Sequence, residues 1–133
     1  MTSNDIPYFA FVEDPARNFL RATLSGHWDV SVVGAFEKEA RLAMCRVAGG
    51  DGSNTLVLKD ARESGVQSQT VAQRLQMLAS DLPTKRTAVL IRSMLHKLQA
   101  DRINPVDYHC VFDHEDAALK WLLNPELDSS AQS

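Results

Sequence analysis

Short apolar runs alternate along this chain with longer stretches in which apolar residues recur at every third or fourth position. A short apolar run bounded by turn-forming residues is typical of a strand, and the longer period is typical of an amphipathic helix. The runs predict strands at residues 8–12, 19–24, 55–59, 87–91 and 108–112. Helical periodicity follows each strand from the second onward. The predicted order of elements is therefore ββαβαβαβα.

The first two strands are joined by a short segment at residues 13–18 that is rich in turn formers, which predicts an antiparallel hairpin. The alternation after the hairpin is typical of a largely parallel sheet with right-handed crossovers. A chain of 133 residues suits one domain. We therefore predict a single α/β domain at residues 8–123, with helices flanking the sheet and disordered segments at residues 1–7 and 124–133.

Each predicted helix has a capping residue and an apolar stripe. Asp29 is placed to cap the first helix, Ser93 the third and Asp113 the last. The second helix has capping-box spacing from Thr70, with Ser68 as the alternative cap. The residues predicted to face inward are Val33, Phe36, Ala40, Met44 and Val47 in the first helix, Val71, Leu75, Leu78 and Leu82 in the second, Met94, Leu95 and Leu98 in the third, and Ala117, Ala118, Trp121 and Leu122 in the last.

Composition and charge narrow the class of protein. The chain is 44% hydrophobic and 23% charged, which is ordinary for a globular protein. A net charge of -3 gives no electrostatic reason to expect nucleic acid as a partner. The polar first residues do not resemble a signal peptide, and no run approaches the ~18 apolar residues of a membrane span. We therefore expect a cytoplasmic protein whose two cysteines, Cys45 and Cys110, are reduced and mostly buried.

The residue pattern contains no coherent catalytic or metal-binding set. The four histidines are dispersed, and none of their spacings is typical of metal ligands. His109 and Cys110 are neighbours in a predicted strand, so their side chains should point to opposite faces. The glycine-rich segment at residues 49–52 precedes a strand instead of opening a helix, unlike a phosphate-binding loop. We expect neither a cofactor nor enzymatic activity.

Three charged residues, Asp60, Arg92 and Asp113, each follow a predicted parallel strand. The carboxyl ends of such strands share one edge of the sheet, and helix N-termini there can hold an anion. Under the competing interpretation, Asp60 pairs with a backbone group or an arginine and Asp113 only caps its helix. The other polar residues of the loop have the same two interpretations. They either form a phosphate or partner site, or have ordinary loop and cap roles: Arg62, Ser64, Ser68 and Thr70.

Three segments resemble the STAS domain, and more closely its SpoIIAA-like subgroup of anti-sigma factor antagonists. Residues 24–29 (LSGHWD) resemble the strand-Gly-x-x-Asp-helix start of that group. Residues 56–62 (LVLKDAR) resemble its central strand, which runs into an Asp and a loop. Residues 112–122 (FDHEDAALKWL) resemble its ending, an aromatic strand end, an Asp and a closing helix. Together they extend over nearly the whole predicted domain.

The resemblance implies a binding or regulatory module. In the antagonists, a serine at the start of the helix after the central strand is phosphorylated and switches partner binding. Ser68 and Thr70 match that serine by placement, with Ser64 further into the loop. The antagonists' Asp-Ser-Ser-Gly segment is replaced here by residues 66–70 (VQSQT).

Two functions follow as hypotheses. The first is a non-enzymatic module that binds an unidentified protein partner through residues 60–82, the loop and helix after the central strand. The alternative is a carrier or sensor that holds a small ligand, a lipid or an anion, between sheet and helices. Trp28 and Trp121 are most simply packing residues; the alternative for Trp28 is a position near the surface, where it could mark an interface. A homodimer would need an exposed apolar face on the first strand or helix.

Overall fold

The structure is a computed structural model that describes residues 8–48, 52–104 and 108–124. The predicted order ββαβαβαβα is confirmed. The elements are β1 (Phe9–Asp14), β2 (Phe19–Ser25), α1 (Val30–Ala48), β3 (Leu56–Glu63), α2 (Gln69–Asp81), β4 (Arg86–Leu90), α3 (Met94–Ile103), β5 (His109–Phe112) and α4 (Glu115–Leu122). The segments 1–7 and 125–133, predicted to be disordered, lie outside the described residues.

The five strands form one sheet in the order β1-β2-β3-β4-β5. β1 pairs antiparallel with β2, as the predicted hairpin requires, and every later pair is parallel. Lys59 of β3 lies opposite Val89 of β4, which in turn lies opposite Val111 of β5. The carboxyl ends of β3, β4 and β5 therefore face the same side of the molecule.

Helices cover the two faces of the sheet unequally. Val57 of β3 belongs to an apolar cluster with Met44 of α1, whereas the next residue, Leu58, belongs to a cluster with Leu122 of α4. Successive strand residues point to opposite faces, so α1 and α4 lie on opposite sides. Ile103 of α3 shares a cluster with residues of α1 and α2. Three helices thus pack on one face and α4 alone on the other.

The first helix agrees with its sequence pattern. All five residues of its predicted stripe are buried. The Asp29 carboxylate accepts a hydrogen bond from the Val32 backbone N–H at 3.0 Å, which is the predicted N-terminal cap. Trp28, just before this helix, is only 2% exposed, which confirms its packing role and contradicts the alternative position near the surface. Its ring packs with those of Phe9 and Phe36, and its indole N–H donates to the Ser25 carbonyl at 2.8 Å.

α3 is rotated relative to the sequence prediction. The apolar residues predicted to face inward lie on its outer side and are 72%, 64% and 55% exposed: Met94, Leu95 and Leu98. The residues that it buries are His96, Ala100 and Ile103. Ala100 packs with Val89 of β4 and with Ile91, which follows that strand, and its small side chain lets the helix approach the sheet. Periodicity cannot specify which face of α3 packs on the sheet, and tertiary packing buries the face that carries His96, Ala100 and Ile103. The predicted Ser93 cap is confirmed by a 3.1 Å bond from the His96 N–H.

Three further expectations, two about α4 and one about the cysteines, need correction. The N-cap position of α4 is His114, and Asp113 is exposed and makes no cap hydrogen bond. Ala118 and Leu122 of α4 are fully buried as predicted, but Ala117 is exposed. Both cysteines are free thiols, yet Cys45 is exposed.

Among the described residues, no helix combines the length and apolar character needed to cross a membrane.

Candidate functional site

β3 continues beyond its predicted end at residue 59 and reaches Glu63. Asp60 therefore lies inside the strand, opposite Thr23 of β2 and Leu90 of β4, and the expectation that it ends the strand is wrong. β2 runs beside this polar stretch as far as Ser25, which pairs with Glu63 across an irregularity in the register. β2 pairs with Asp60 and Glu63, whereas between them the Arg62 N–H donates to the Asp60 carboxylate at 3.2 Å.

Asp60 is the centre of an ion-pair network on the α4 face of the sheet. It is 7% exposed, and its carboxylate accepts hydrogen bonds from the Arg62 guanidinium at 2.7 and 2.9 Å and from Arg21 at 3.0 Å. Both arginines also donate to Glu115 of α4, at 3.0 and 3.1 Å. The hydrogen bonds from Arg62 lower the pKa of Asp60 below its usual value. This is the arginine pairing expected under the competing interpretation.

The network consists of two guanidinium groups and two carboxylates, so its formal charges cancel. An added anion would have to displace a carboxylate from Arg21 or Arg62, and both carboxylates hold hydrogen bonds to charged donors. The network therefore ties β2, β3 and α4 together. Neither Arg21 nor Glu115 was predicted from the sequence as a site residue. The sequence did contain a signal for the orientation of Arg21, because it alternates with the buried residues of β2 and so points to the opposite face of the sheet.

Arg92 and Asp113 lie apart from this network, at the carboxyl ends of β4 and β5. Both line a crevice of about 360 Å3 that Ser93 and Lys97 of α3 also line. Arg92 forms a 3.0 Å ion pair with Glu63, and both side chains are largely exposed. The structure thus brings Arg92 and Asp113 to one edge, as the strand order predicted, but it does not bring Asp60 to the same place.

The hydroxyl residues of the loop have separate environments. The Ser64 hydroxyl donates to the Ala61 carbonyl at 2.9 Å. Ser68 is the N-cap of α2, and its hydroxyl accepts from the Val71 N–H at 3.3 Å, so the alternative cap is confirmed and the capping box from Thr70 is wrong. Thr70 is exposed in the first turn of α2.

Gln67 organises the loop, and the sequence analysis did not select it. Its side chain is buried. Oε1 accepts a hydrogen bond from the backbone N–H of Trp28 at 2.7 Å, and Nε2 donates to the carbonyls of Gly26 and Ser64 at 3.0 and 2.8 Å. Its backbone forms two further hydrogen bonds with the side chain of Gln99 in α3. A single glutamine in a polar loop carries no sequence signal for such a role.

A groove of about 450 Å3 lies between α2 and α3, beside this loop. Ala72 and Ile103 supply its apolar surface. Its polar wall consists of glutamine side chains and one arginine: Gln67, Gln69, Gln73, Gln76, Gln99 and Arg102. Within the described ranges, no carboxylate pairs with Arg102, which is exposed. The amides of Gln67 and Gln99 are engaged with the loop, so the groove offers the amides of Gln69, Gln73 and Gln76 and one uncompensated positive charge.

Among the described residues, no group of three or more His, Cys, Asp or Glu side chains is arranged to hold a metal ion. His109 lies opposite Thr87, and both line the cavity on the α2 side, whereas Cys110 lies opposite Ala88, which packs with α4. The two side chains point to opposite faces of the sheet, as predicted, and do not form a catalytic pair.

No protein-family model matches this chain, and no curated protein matches it significantly. Solved structures match across most of its length. An uncharacterized DUF3478-family protein with a SpoIIAA-like fold from Shewanella loihica PV-4 is 19% identical, with a TM-score of 0.63 over 92% of this chain and 99% of that one. An anti-sigma factor antagonist from Mycobacterium paratuberculosis is 13% identical, with a TM-score of 0.58 over 86% of this chain and 93% of that one. The chain therefore has a SpoIIAA-like fold.

Proposed function

We propose that this protein is a non-enzymatic regulatory module that binds a protein partner through residues 60–82, with α3 forming the other wall of the binding groove. The observation that carries the proposal is the glutamine-lined groove between α2 and α3. It lies directly beside the loop that the sequence analysis selected. The fold shared with an anti-sigma factor antagonist supports a regulatory role without identifying the partner.

The chemistry of the groove suits a peptide segment. A glutamine amide both donates and accepts hydrogen bonds, so a row of them can match the alternating N–H and C=O groups of a peptide backbone. Arg102, without a carboxylate partner in the described part of the chain, favours an acidic residue in the bound segment. The proposed partner segment is therefore extended and acidic.

The outer surface of α3 adds an apolar area beside the groove. Leu95 and Leu98 are more than half exposed and precede Gln99 and Arg102 on the same helix. Exposed large apolar residues that cluster on one element often mark interaction sites. A partner that fills the groove could also cover them, which would offset the cost of ordering an extended segment.

Phosphorylation of Ser68 or Thr70 stays a prediction within this proposal. Both residues are exposed and lie at the N-terminus of α2. A phosphate there would be favoured by the helix dipole, and its charge would change the rim of the groove. Ser68→Asp and Thr70→Asp mimic the added charge. We expect one of them to change the yield of partner complex, whereas Ser68→Asn should leave it unchanged because it caps without a charge.

Site-specific photo-crosslinking tests the binding surface. A photoreactive residue at Gln73 or Gln76, in the groove, should give a discrete crosslinked product in cells of the source organism. The same residue at Lys38, exposed on α1, is the matched control and should give none. Arg102→Glu should abolish the groove product. Equal products at Lys38 and Gln76, or no effect of Arg102→Glu, would contradict the proposed surface.

The lipid form of the alternative function has no matching space in the described residues. The two internal cavities between the sheet and the helices have volumes of about 60 and 40 Å3. For comparison, an engineered apolar cavity that binds benzene has a volume of ~150 Å3. A lipid chain would therefore require the helices to separate from the sheet.

A further inference from the structure

β1 lies at one edge of the sheet, and no strand among the described residues pairs with its outer side. Proteins usually protect such an edge with a short strand, a bulge, or lysine or proline residues. β5, at the opposite edge, has only four residues. β1 has six, pairs with β2 without a break in register, contains no lysine or proline, and carries charge only at its last two residues. The outer edge of β1 is therefore available to another strand.

The backbone groups that point outward from β1 can be identified from its pairing with β2. The Ser25 N–H donates to the Tyr8 carbonyl at 2.8 Å. Hydrogen-bonded and non-hydrogen-bonded pairs alternate along an antiparallel ladder, so every second residue from Tyr8 onward bonds to β2. The residues between them direct their N–H and C=O groups away from the sheet: Phe9, Phe11 and Glu13. The next positions in this outward series are Pro7 and Pro15, and proline has no N–H to donate.

The outward series is symmetric about Phe11. When two β1 strands pair antiparallel around this residue, Phe9 of each copy lies opposite Glu13 of the other, and every outward N–H and C=O group of the three residues has a partner. Shifting one strand by two residues places Pro7 or Pro15 opposite one of these residues and loses hydrogen bonds. The edge is therefore complementary to itself in one register.

The exposed side chains of β1 suit the same register. Phe9 and Phe11 pack with Phe36 of α1. Ala10 and Val12 therefore point to the opposite face, where α4 packs on β3, β4 and β5. Both are exposed, Val12 by 62%. In the register centred on Phe11, Val12 of each copy lies opposite Ala10 of the other as a non-hydrogen-bonded pair, in which the side chains are close.

The outer side of α1 carries further exposed apolar residues at this edge. Arg46 of α1 donates to Glu13 of β1 at 2.8 Å, which places this side of the helix above the edge strand. Leu42 and Ala35 lie on the same side as Arg46, one and three turns before it, and both are exposed. A two-fold axis through Phe11 and perpendicular to the sheet would bring the α1 helices of two copies side by side, and the small side chain of Ala35 would let them approach.

We propose that two copies of this chain form a symmetric dimer in which their β1 strands pair antiparallel around Phe11, so that the two sheets join into one of ten strands, five from each copy. The symmetry of the edge is the reason for choosing a second copy over a different protein, because one surface supplies both halves of the interface. The inference does not depend on the partner-binding proposal, because the groove is lined by α2, α3 and the loop before α2.

The mass in solution tests whether the dimer forms. Size-exclusion chromatography with light scattering should give twice the chain mass of 14.7 kDa. A variant with both Ala10→Lys and Val12→Lys should give the single-chain mass, because it brings four lysines together across the interface. Both positions are exposed, so its circular dichroism spectrum should match the wild type. Leu95→Lys with Leu98→Lys, on the exposed side of α3, is the matched control and should remain dimeric.

Cysteine crosslinking tests the register. The exposed thiol is first removed by Cys45→Ser. In that background, a mixture of Ala10→Cys and Val12→Cys chains should form an intermolecular disulfide, because the two positions face each other. Val12→Cys chains alone should crosslink at least about tenfold more slowly, since their cysteines are diagonal neighbours ~7–8 Å apart.

Amide hydrogen exchange distinguishes strand pairing from a dimer formed by the helices alone. Protection of the Phe11 N–H should rise with protein concentration, whereas that of the Ala10 N–H, which bonds to β2 within each copy, should change little. A single-chain mass for the wild type or a dimer that survives the two lysines would overturn the inference. So would equal crosslinking of the mixed and unmixed cysteine chains, or a Phe11 N–H whose protection is independent of concentration.

Discussion

Gln67 and Gln99 hold each other through two reciprocal hydrogen bonds. The Gln67 backbone N–H donates to Gln99 Oε1 at 2.6 Å, and Gln99 Nε2 donates to the Gln67 carbonyl at 2.7 Å. A side chain of α3 thus completes the backbone hydrogen bonding of the loop that follows β3, much as a neighbouring strand would. The loop proposed to bind the partner is therefore positioned by the helix that forms the opposite wall of the groove.

Gln99→Ala should loosen this loop without unfolding the domain. The change removes both reciprocal bonds, so we expect a loss of about 1–2 kcal/mol in the free energy of unfolding. Amide hydrogen exchange at residues 64–69 should accelerate, whereas exchange in β3 and β4 should not. Gln73→Ala is the control, because the Gln73 side chain lines the same groove but forms no hydrogen bond with another described residue. Unchanged exchange in Gln99→Ala would contradict the role of this pair.

Asp60→Asn should lower stability by about 3 kcal/mol near neutral pH, because it leaves two arginines facing one carboxylate. The pKa of Asp60 is lowered in the folded state, so its carboxylate stabilises the fold above its unfolded pKa near 3.8. That contribution is lost as the pH falls through the folded pKa. The gap between wild type and variant in urea unfolding should therefore shrink in acid. The exposed pair of Glu37 and Arg41 provides the control, since Glu37→Gln should cost less than about 0.5 kcal/mol.

Lys59→Met should stabilise the protein at neutral pH. Burial on folding lowers the pKa of Lys59 from 10.5 to about 8, so between these values the unfolded chain binds more protons than the folded one. Wild-type stability should then rise with pH across that window, with a slope of up to about 1.4 kcal/mol per pH unit, and the variant should lack the rise. Urea unfolding across this pH range measures the difference. A wild type and variant with parallel pH profiles would show that Lys59 is not desolvated.

Leu95→Gln and Leu98→Gln should each change the free energy of unfolding by less than about 0.5 kcal/mol, because both side chains are exposed. Ile103→Ala, on the buried face of α3, should cost about 2 kcal/mol or more. Urea unfolding of the three variants separates the observed orientation from the one predicted by the apolar pattern. Large losses at Leu95 and Leu98 with a small loss at Ile103 would reverse the assignment.

The predictions for α1 and α3 show when an apolar pattern is enough to identify the buried face of a helix and when it is not. The stripe of α1 from Val33 to Val47 is long and strongly apolar, so only one face could be buried, and the prediction is confirmed. α3 is short, with one face that carries Met94, Leu95 and Leu98 and a second, less apolar face that carries His96, Ala100 and Ile103. Which face packs on the sheet depends on the space beside β4, and that space exists only in the assembled fold.

In the candidate site, too, some residue positions could be predicted from the sequence and others could not. Strand order brought Arg92 and Asp113 to the carboxyl edge, as expected from parallel strands. The continuation of β3 through Asp60 depends on pairing with β2, which is distant in sequence. The contacts of Arg21 with Asp60 and Glu115 span 39 and 94 residues, and local patterns contain no information about such pairs.

The sequence by itself determined the order of elements, the hairpin, the parallel sheet and the buried face of α1, because these depend on local periodicity and turn chemistry. Only the tertiary structure decided the orientation of α3, the Asp60 network, the groove lined by glutamines and the burial of Lys59. Each of these depends on side chains from elements far apart in the chain, where packing space and hydrogen-bond partners exist only after the sheet and helices have assembled.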